Sequence, residues 1–523
     1  MGDLIIKIAM LVIFFGVMVA IGLYCRRHST DVNGFVLGGR SVGPWLTAFA
    51  YGTSYFSAVV FVGYAGQFGW KYGIAATWAG LGNAFIGSLM AWAILGRRTR
   101  VMTQHLDSAT MPEFFGKRFD SSALKLCASA IIFIFLIPYT ASLYNGLSRL
   151  FAMAFDIDYA ICVVAMAVLT GIYVIAGGYM ATAINDFIQG IIMIFGIVAV
   201  IAAVLNSQGG FIAALDKLAA VSDPAVSNAP GVFNSFFGPD PINLLGVVIL
   251  TSLGTWGLPQ MVQKFYAIKS ESAINKGMII STFFALIVAG GCYFLGGFGR
   301  LFSDKMEIVN GLPNGSYDSV IPTMLSGLPV LLIAVVVILV LSASMSTLSS
   351  LVLASSSTLT LDFIRGTIVK KMDEKKQVGC IRILVAVFIA ISAVLAIIQY
   401  RSSVTFIAQL MGVSWGALAG AFLAPFLYGL YWKRTTKAAC WVSFVFSTVF
   451  MLVVISPVKT YLPTLLQSPI NAGAFCMITG LVIVPIVSMF TGAPAKEKLD
   501  DIFSCYDKTV TVKVRDSIGE ESR

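Results

Sequence analysis

The densest run of chemistry-bearing residues is LSASMSTLSSLVLASSS, positions 341–357, inside an otherwise apolar stretch. Six of the nine residues from 342 to 350 carry hydroxyls: Ser342, Ser344, Ser346, Thr347, Ser349 and Ser350. On a helix, Ser342, Ser346 and Ser349 share a face, and Ala343, Ser346, Thr347 and Ser350 follow the same three-and-four spacing. A lone serine in an apolar helix often bonds back to its own backbone, but six exceed what packing requires. Neutral oxygens with no Cys or His among them suit a hard cation. One carboxylate, Asp186 in GGYMATAINDFIQG, falls in another apolar stretch. A charge there is costly unless it is paired or holds a cation. Facing the serines, Asp186 would add one negative charge to several neutral oxygens, a sodium site rather than a calcium cage. The bland alternative sets Asp186 at a solvated helix start.

Two further stretches carry residues that interrupt a helix. The first, AFAYGTSYFSAVVFVGYAG, has Gly52, Thr53 and Ser54 near its middle, followed by Tyr55 and Ser57. Glycine and small hydroxyl residues in an apolar span permit an unwound turn whose carbonyls face a cavity. Close packing of small residues is the alternative. The second, LTSLGTWGLPQMVQKF, holds Gly254, Gly257 and Pro259, with Thr251, Ser252, Thr255 and Gln260 around them. Pro259 removes a backbone donor and clashes with the preceding turn. Interrupted helices in corresponding positions of two halves point to an inverted-repeat transporter with its site at the breaks.

Composition dictates the solvent of the scaffold that must position these groups. Of 523 residues, 58% are hydrophobic and 11% charged, against about a quarter charged in soluble domains. Such a chain cannot cover a water-facing surface. Disorder, a disulfide scaffold and nucleic-acid binding are thereby excluded, which leaves an all-α polytopic membrane protein. Eight cysteines form no C-x-x-C pair, and two histidines, His28 and His105, are too few for histidine-based metal or relay chemistry. A crossing needs about 20 apolar residues. Segments near 4–25, 43–68, 73–96, 122–153, 159–177, 183–206, 242–263, 275–300, 322–357, 379–399, 403–431, 438–457 and 470–491 make about thirteen.

The first segment begins at Asp3, lacks a basic leader and runs into Arg26 and Arg27, which reads as a retained anchor with its N-terminus outside. Alternation from there gathers most of the 35 basic residues, Lys264 among them, on cytoplasmic loops. That bias sets an N-out, C-in orientation and accounts for the net charge of +10. The expected organisation is an extra helix and cytoplasmic loop (1–42), a first five-span repeat (43–206), an extracellular loop (207–241), a second five-span repeat (242–431), two extra helices (432–491) and a cytoplasmic tail (492–523). The loop is rich in Gly, Ser, Asn and Pro and reads as flexible cover. An odd number of spans per repeat gives the two halves opposite orientation.

Four stretches, in order from 34 to 439, resemble the sodium:solute symporter family: GFVLGGRSVGPW (34–45), GGYMATAINDFIQ (177–189), SMSTLSSLVLASSSTLTLDF (344–363) and GLYWKRTTKAA (429–439). The resemblance implies a leucine-transporter-type core of two inverted five-helix repeats in the plasma membrane, with solute uptake driven by inward sodium flow. It implies a principal sodium bound by the backbone carbonyls of Thr53, Phe56 and Ala343 and the hydroxyls of Ser346 and Thr347. It also matches Asp186, Ser349 and Ser350 to a second sodium that some members hold.

The chain is most similar to the proline, pantothenate and monocarboxylate branches. Tyr55 stands where proline transporters carry an aspartate, as in the pantothenate type, and Val60 where sugar carriers place a glutamine. Ala58 to Val62 could not satisfy a polyol, and an unpaired buried polar group costs ~1–3 kcal/mol. The expected solute is a small organic anion or zwitterion with an apolar body, lined by Tyr55, Ser57, Trp78, Tyr139 and Thr255. A sugar symporter is the alternative within the family. A sensor would need a signalling module, against which the short tail argues. A channel would use rings of carbonyls or charges in a continuous pore. An enzyme would need a nucleophile–base pair, and the nearest, His105 with Asp107, reads as ordinary loop polarity. No catalysis, no cofactor and no nucleic-acid partner are expected; the partners are solute, sodium and bilayer.

Overall fold

In a computed structural model of the chain, residues 2–26, 31–155, 158–309, 311–369, 372–402 and 407–507 are described. Arg27, His28 and the tail from 508 lie outside them. Among the described residues, ten helices are long and apolar enough to cross a membrane, and the bent pair Pro241–Gly257 and Pro259–Ala267 makes an eleventh. Their outer faces carry Ile13, Phe195, Phe283 and Ile383, which are 62–73% exposed. Ser346, Asp186 and Lys264 lie buried between them. Large apolar side chains outside and polar ones inside invert the order of a soluble protein, as lipid requires.

Both expected interruptions are present, one of them displaced. The first broken helix runs Pro44–Tyr55, stops at Phe56 in extended backbone (φ −84°, ψ 120°) and resumes through Val59–Tyr64 and Ala65–Tyr72. The break therefore follows Gly52-Thr53-Ser54 instead of falling on it. Gly52 sits in helical backbone, where a Cβ would come 2.3 Å from the Phe284 ring. That glycine admits a neighbouring side chain, which is the packing role. The second broken helix stops at Leu258 (φ −80°, ψ 125°), and its halves meet at 45°. Pro259 begins the second half, where its missing N–H removes no helical bond.

The serine-rich helix Val330–Thr358 packs against the first broken helix and against Ser122–Phe155 and Tyr159–Ser207. Ile407–Tyr431 packs beside Pro241–Gly257. Gly2–Cys25 packs on Tyr159–Ser207, and Lys437–Ile455 and Pro469–Phe490 pack on Ile407–Tyr431. Tyr159–Ser207 is itself kinked at Gly178 (φ 58°, ψ −152°).

The 207–241 segment departs from flexible cover. It holds the helix Phe211–Ala220, and Leu218 and Phe233 bury against Phe298. Asp223 pairs with Arg300 at 2.9 Å. Its Gly, Ser and Pro content signals turns, but the apolar residues between them supply a small core of their own.

Close backbone contact joins Ala65–Tyr72 to Ser272–Gly296 beyond the first break. A Cβ on Gly69 would stand 1.9 Å from the Gly296 carbonyl oxygen, and one on Gly296 would stand 2.1 Å from that of Ala65. Overpacking of this kind costs ~1–3 kcal/mol. Gly69→Ala is expected to lower the melting temperature of the detergent-solubilised protein by several degrees. Gly379→Ala, with no neighbour within 4 Å, is expected to leave it unchanged.

Candidate functional site

The break at Phe56 releases carbonyls from the first helix, because the last C=O groups of a helix have no amide four residues on. Two of them, on Thr53 and Phe56, point at the serine-rich helix. Ser346 Oγ lies 2.9 Å from Thr53 O and 3.0 Å from Ala343 O. Thr347 Oγ1 lies 3.1 Å from Thr53 O, 3.2 Å from Phe56 O and 3.1 Å from Ala343 O. All five residues are buried. The five oxygens expected from the resemblance to hold the principal sodium thus converge on one point. A hydroxyl has one proton to donate, so three carbonyls gathered on Thr347 Oγ1 exceed what hydrogen bonding uses. The donor set fits a small hard cation.

The residues matched to a second sodium are arranged differently. Ser349 Oγ donates back to Ser346 O at 2.9 Å. Asp186 is buried inside its helix rather than solvated at a helix start. Its Oδ2 lies 3.9 Å from Lys264 Nζ, which donates to Ser350 Oγ at 3.0 Å. Ser350 Oγ is also 2.9 Å from Ser54 Oγ. The assignment of Lys264 to a cytoplasmic loop is therefore corrected: it is 2% exposed on Pro259–Ala267. The helix runs one turn past Gln263, and the partner that makes its burial tolerable lies about 80 residues away in the chain.

Of the residues expected around the solute, the structure brings Ser57 and Tyr139 to the first break. Ser57 Oγ accepts from Val59 N at 3.2 Å. Tyr139 is buried edge-to-face on Trp415, 5.9 Å between ring centroids. Trp415 was not singled out from sequence, since an aromatic in an apolar span reads as packing. A Cβ on Gly254 would meet its ring at 2.5 Å, so it also touches the second broken helix. Two expected residues stand elsewhere. Trp78 donates to Phe236 O at 2.9 Å and packs on the Phe236 ring beneath the 207–241 segment. Thr255 donates between Gly87 O and Ser252 O, both at 2.9 Å. The side chain of Tyr55 lies outside the described ones. Of the amides at the restarted helix, that of Ala58 donates to Ser344 Oγ at 3.2 Å and that of Val59 to Ser57 Oγ. Those two are already used. Gln260, directly after the second break, is buried with neither side-chain polar atom hydrogen-bonded.

A cavity of about 990 Å³ is lined by Gln67, Phe68, Pro138, Asn243, Val413 and Asn471 among others. Of its lining residues, Pro138 adjoins Tyr139 and Val413 lies near Trp415 in sequence. Arg300 holds the rim: Nε donates to Trp70 O at 2.6 Å and the guanidinium lies 3.8 Å over the Phe233 ring. Burial lowers its pKa from the ordinary arginine value, and Asp223 opposes that shift. The opposite face is sealed. Arg40 donates to Ser108 O at 2.6 Å and Tyr266 O at 3.1 Å, and Arg100 to Ile268 O at 2.6 Å. Asp362 joins Lys125 at 3.1 Å and Thr110 at 2.5 Å.

Comparison with known proteins agrees with this geometry. The model of the sodium:solute symporter family matches residues 35–445. The chain is 30% identical over 491 residues to the osmoregulated proline transporter OpuE of Bacillus subtilis (strain 168), covering 92% of this chain and 94% of that one. It is 29% identical over 528 residues to the sodium/proline symporter of Staphylococcus aureus (strain NCTC 8325 / PS 47), covering 98% and 96%. Among solved structures, a Na+-coupled sialic acid symporter in a substrate-bound outward-open state superposes with a TM-score of 0.74 at 16% identity, over 93% of this chain and 98% of that one. Mhp1, a nucleobase-cation-symport-1 family transporter, gives a TM-score of 0.50 at 13% identity, over 91% and 98%. These two likenesses show the fold. With the family model matched over residues 35–445 and a relative 30% identical along 92% of its length, the chain belongs to the sodium:solute symporter family and is a multi-pass membrane protein that moves a small organic solute with sodium.

Proposed function

We propose that the chain imports a small carboxylate-bearing solute, an imino or amino acid or a pantothenate-like acid, by alternating access around the two helix breaks. One sodium binds at Thr53, Phe56, Ala343, Ser346 and Thr347. The observation that carries this reading is the convergence of carbonyls from the broken helix on hydroxyls of the serine-rich helix. A cation there ties a helix of the first repeat to one of the second, so its arrival and departure govern how the halves sit. The solute rests between Ser57, Tyr139 and Trp415, within reach of the same break. Apolar Ala58 to Val62 and two aromatic rings suit a hydrocarbon or ring body. Both proline transporters named above are consistent with an imino acid, although Tyr55 replaces the acid expected in that branch.

The reading includes thirteen crossings in an N-out, C-in plasma-membrane topology. Besides the eleven crossings already described, the shorter apolar helix Tyr159–Ile172 supplies one, and the 47-residue run Val59–His105 is long enough for two. The inverted repeats are 43–206 and 242–431, flanked by an N-terminal helix (1–42) and two C-terminal helices (432–491), with 207–241 outside and 492–523 inside. The cavity then opens outward, and the arginine seal at Arg40 and Arg100 closes the cytoplasmic side.

Three outcomes are expected. Ser346→Ala or Thr347→Ala removes one cation oxygen, worth ~1–3 kcal/mol. The sodium concentration for half-maximal uptake into proteoliposomes should rise by about 5- to 100-fold; wild-type sodium dependence in both variants would remove the site. In competition assays, proline, pantothenate or short branched carboxylates should inhibit uptake, while glucose and galactose should not; inhibition by a sugar alone would overturn the solute class. For topology, Asn228→Cys should react with an impermeant thiol reagent applied to intact cells and Lys375→Cys should not, and the reverse pattern would invert the orientation.

A further inference from the structure

A lysine stands next to the principal sodium site, held much as a bound cation would be. Lys264 Nζ lies 3.9 Å from Asp186 Oδ2, donates to Ser350 Oγ at 3.0 Å and sits 5.0 Å from the centroid of the Tyr179 ring. Lys264 is 2% and Asp186 0% exposed. The ammonium thus meets a carboxylate for charge, a hydroxyl for its N–H and an aromatic face, the partners a desolvated cation requires. The four come from three helices: Lys264 from the second broken helix, Asp186 and Tyr179 from Tyr159–Ser207, and Ser350 from the serine-rich helix.

The two sites are neighbours along two helices. Ser350 follows Ser346 and Thr347 by about one turn, and Ser54, which lies 2.9 Å from Ser350 Oγ, follows Thr53. We infer that Lys264 is a built-in cation in the place matched to a second sodium, so that one sodium, not two, accompanies each solute. Charge supplies the first reason: Asp186 is the carboxylate of that place, and the Lys264 ammonium already stands 3.9 Å from it as a counter-charge, beyond hydrogen-bond length. A sodium added at contact distance would bring like charges together in a buried site. Ligand supply is the second: Ser350 accepts from Lys264, and Ser349 is turned to Ser346 O. A tethered ammonium also differs from an ion in consequence. It fastens the second broken helix to Tyr159–Ser207 and the serine-rich helix without being released in each cycle. This inference depends on the proposed function only for where the one remaining sodium binds.

Equilibrium binding of radioactive sodium to the purified full-length chain in proteoliposomes tests it. The wild type should bind one sodium per chain with a Hill coefficient near one. Lys264→Ser should add a second sodium, and Asp186→Asn with Lys264→Ser should lose that gain. Because Lys264→Ser leaves Asp186 unpaired and is at risk of misfolding, Asp186→Asn with Lys264→Met removes both charges and should keep the first sodium. Two sodium ions bound by the wild type, a folded Lys264→Ser that still binds one, or loss of the first sodium in Asp186→Asn/Lys264→Met would overturn the inference. If Ser346→Ala/Thr347→Ala keeps its sodium while Lys264→Ser still gains one through Asp186, the principal-site reading falls and the lysine inference stands.

Discussion

The carbonyl oxygens of Thr53 and Phe56, freed where the first broken helix ends, constrain most of what surrounds them. Backbone groups without partners are not tolerated in lipid, so a break at this depth needs a neighbour that can satisfy it. The serine-rich helix provides that neighbour. Ser346 and Thr347 meet the released carbonyls, and Ser344 accepts from Ala58 N on the other side of the gap. One helix thus stabilises both edges of the break and gathers more oxygen than its own protons can use. A candidate cation site follows from the same requirement that permits the break.

The surrounding packing keeps that arrangement in register. Gly52 lets the Phe284 ring lie against the helix just before the break, and the Gly69–Gly296 contact locks the chain after it. Tyr139 packs on Trp415, which is also seated against Gly254 of the second broken helix. Arg40 and Arg100, each bonded to backbone carbonyls near the end of the second broken helix, seal the far side.

Legibility in the sequence followed the physics of each signal. Membrane character was plain because composition averages over hundreds of residues. The second break was marked by Pro259, whose missing donor admits few other readings, whereas at the first the visible glycine served packing and the real stop, Phe56, carries no breaker. The hydroxyl-rich helix stood out because six in nine positions have no packing explanation, but which hydroxyls and which carbonyls would hold an ion came from family resemblance, since carbonyls leave no residue-type signal. Lys264 was misread because its neighbours Lys269 and Lys276 make it look like one more loop charge; only its distance to Asp186 reveals a buried pair. Trp78 was misplaced for the opposite reason: a tryptophan near a span end looks the same whether it lines a pocket or pins a loop, and here it holds Phe236.

The most direct test of the account is an experimental structure of the chain in sodium, at a resolution that reveals ions and their ligands. The expected result is one ion bonded to Thr53 O, Phe56 O, Ala343 O, Ser346 Oγ and Thr347 Oγ1, its density absent when sodium is replaced by choline. An ion bound elsewhere, with these five oxygens hydrogen-bonded only to one another, would contradict it.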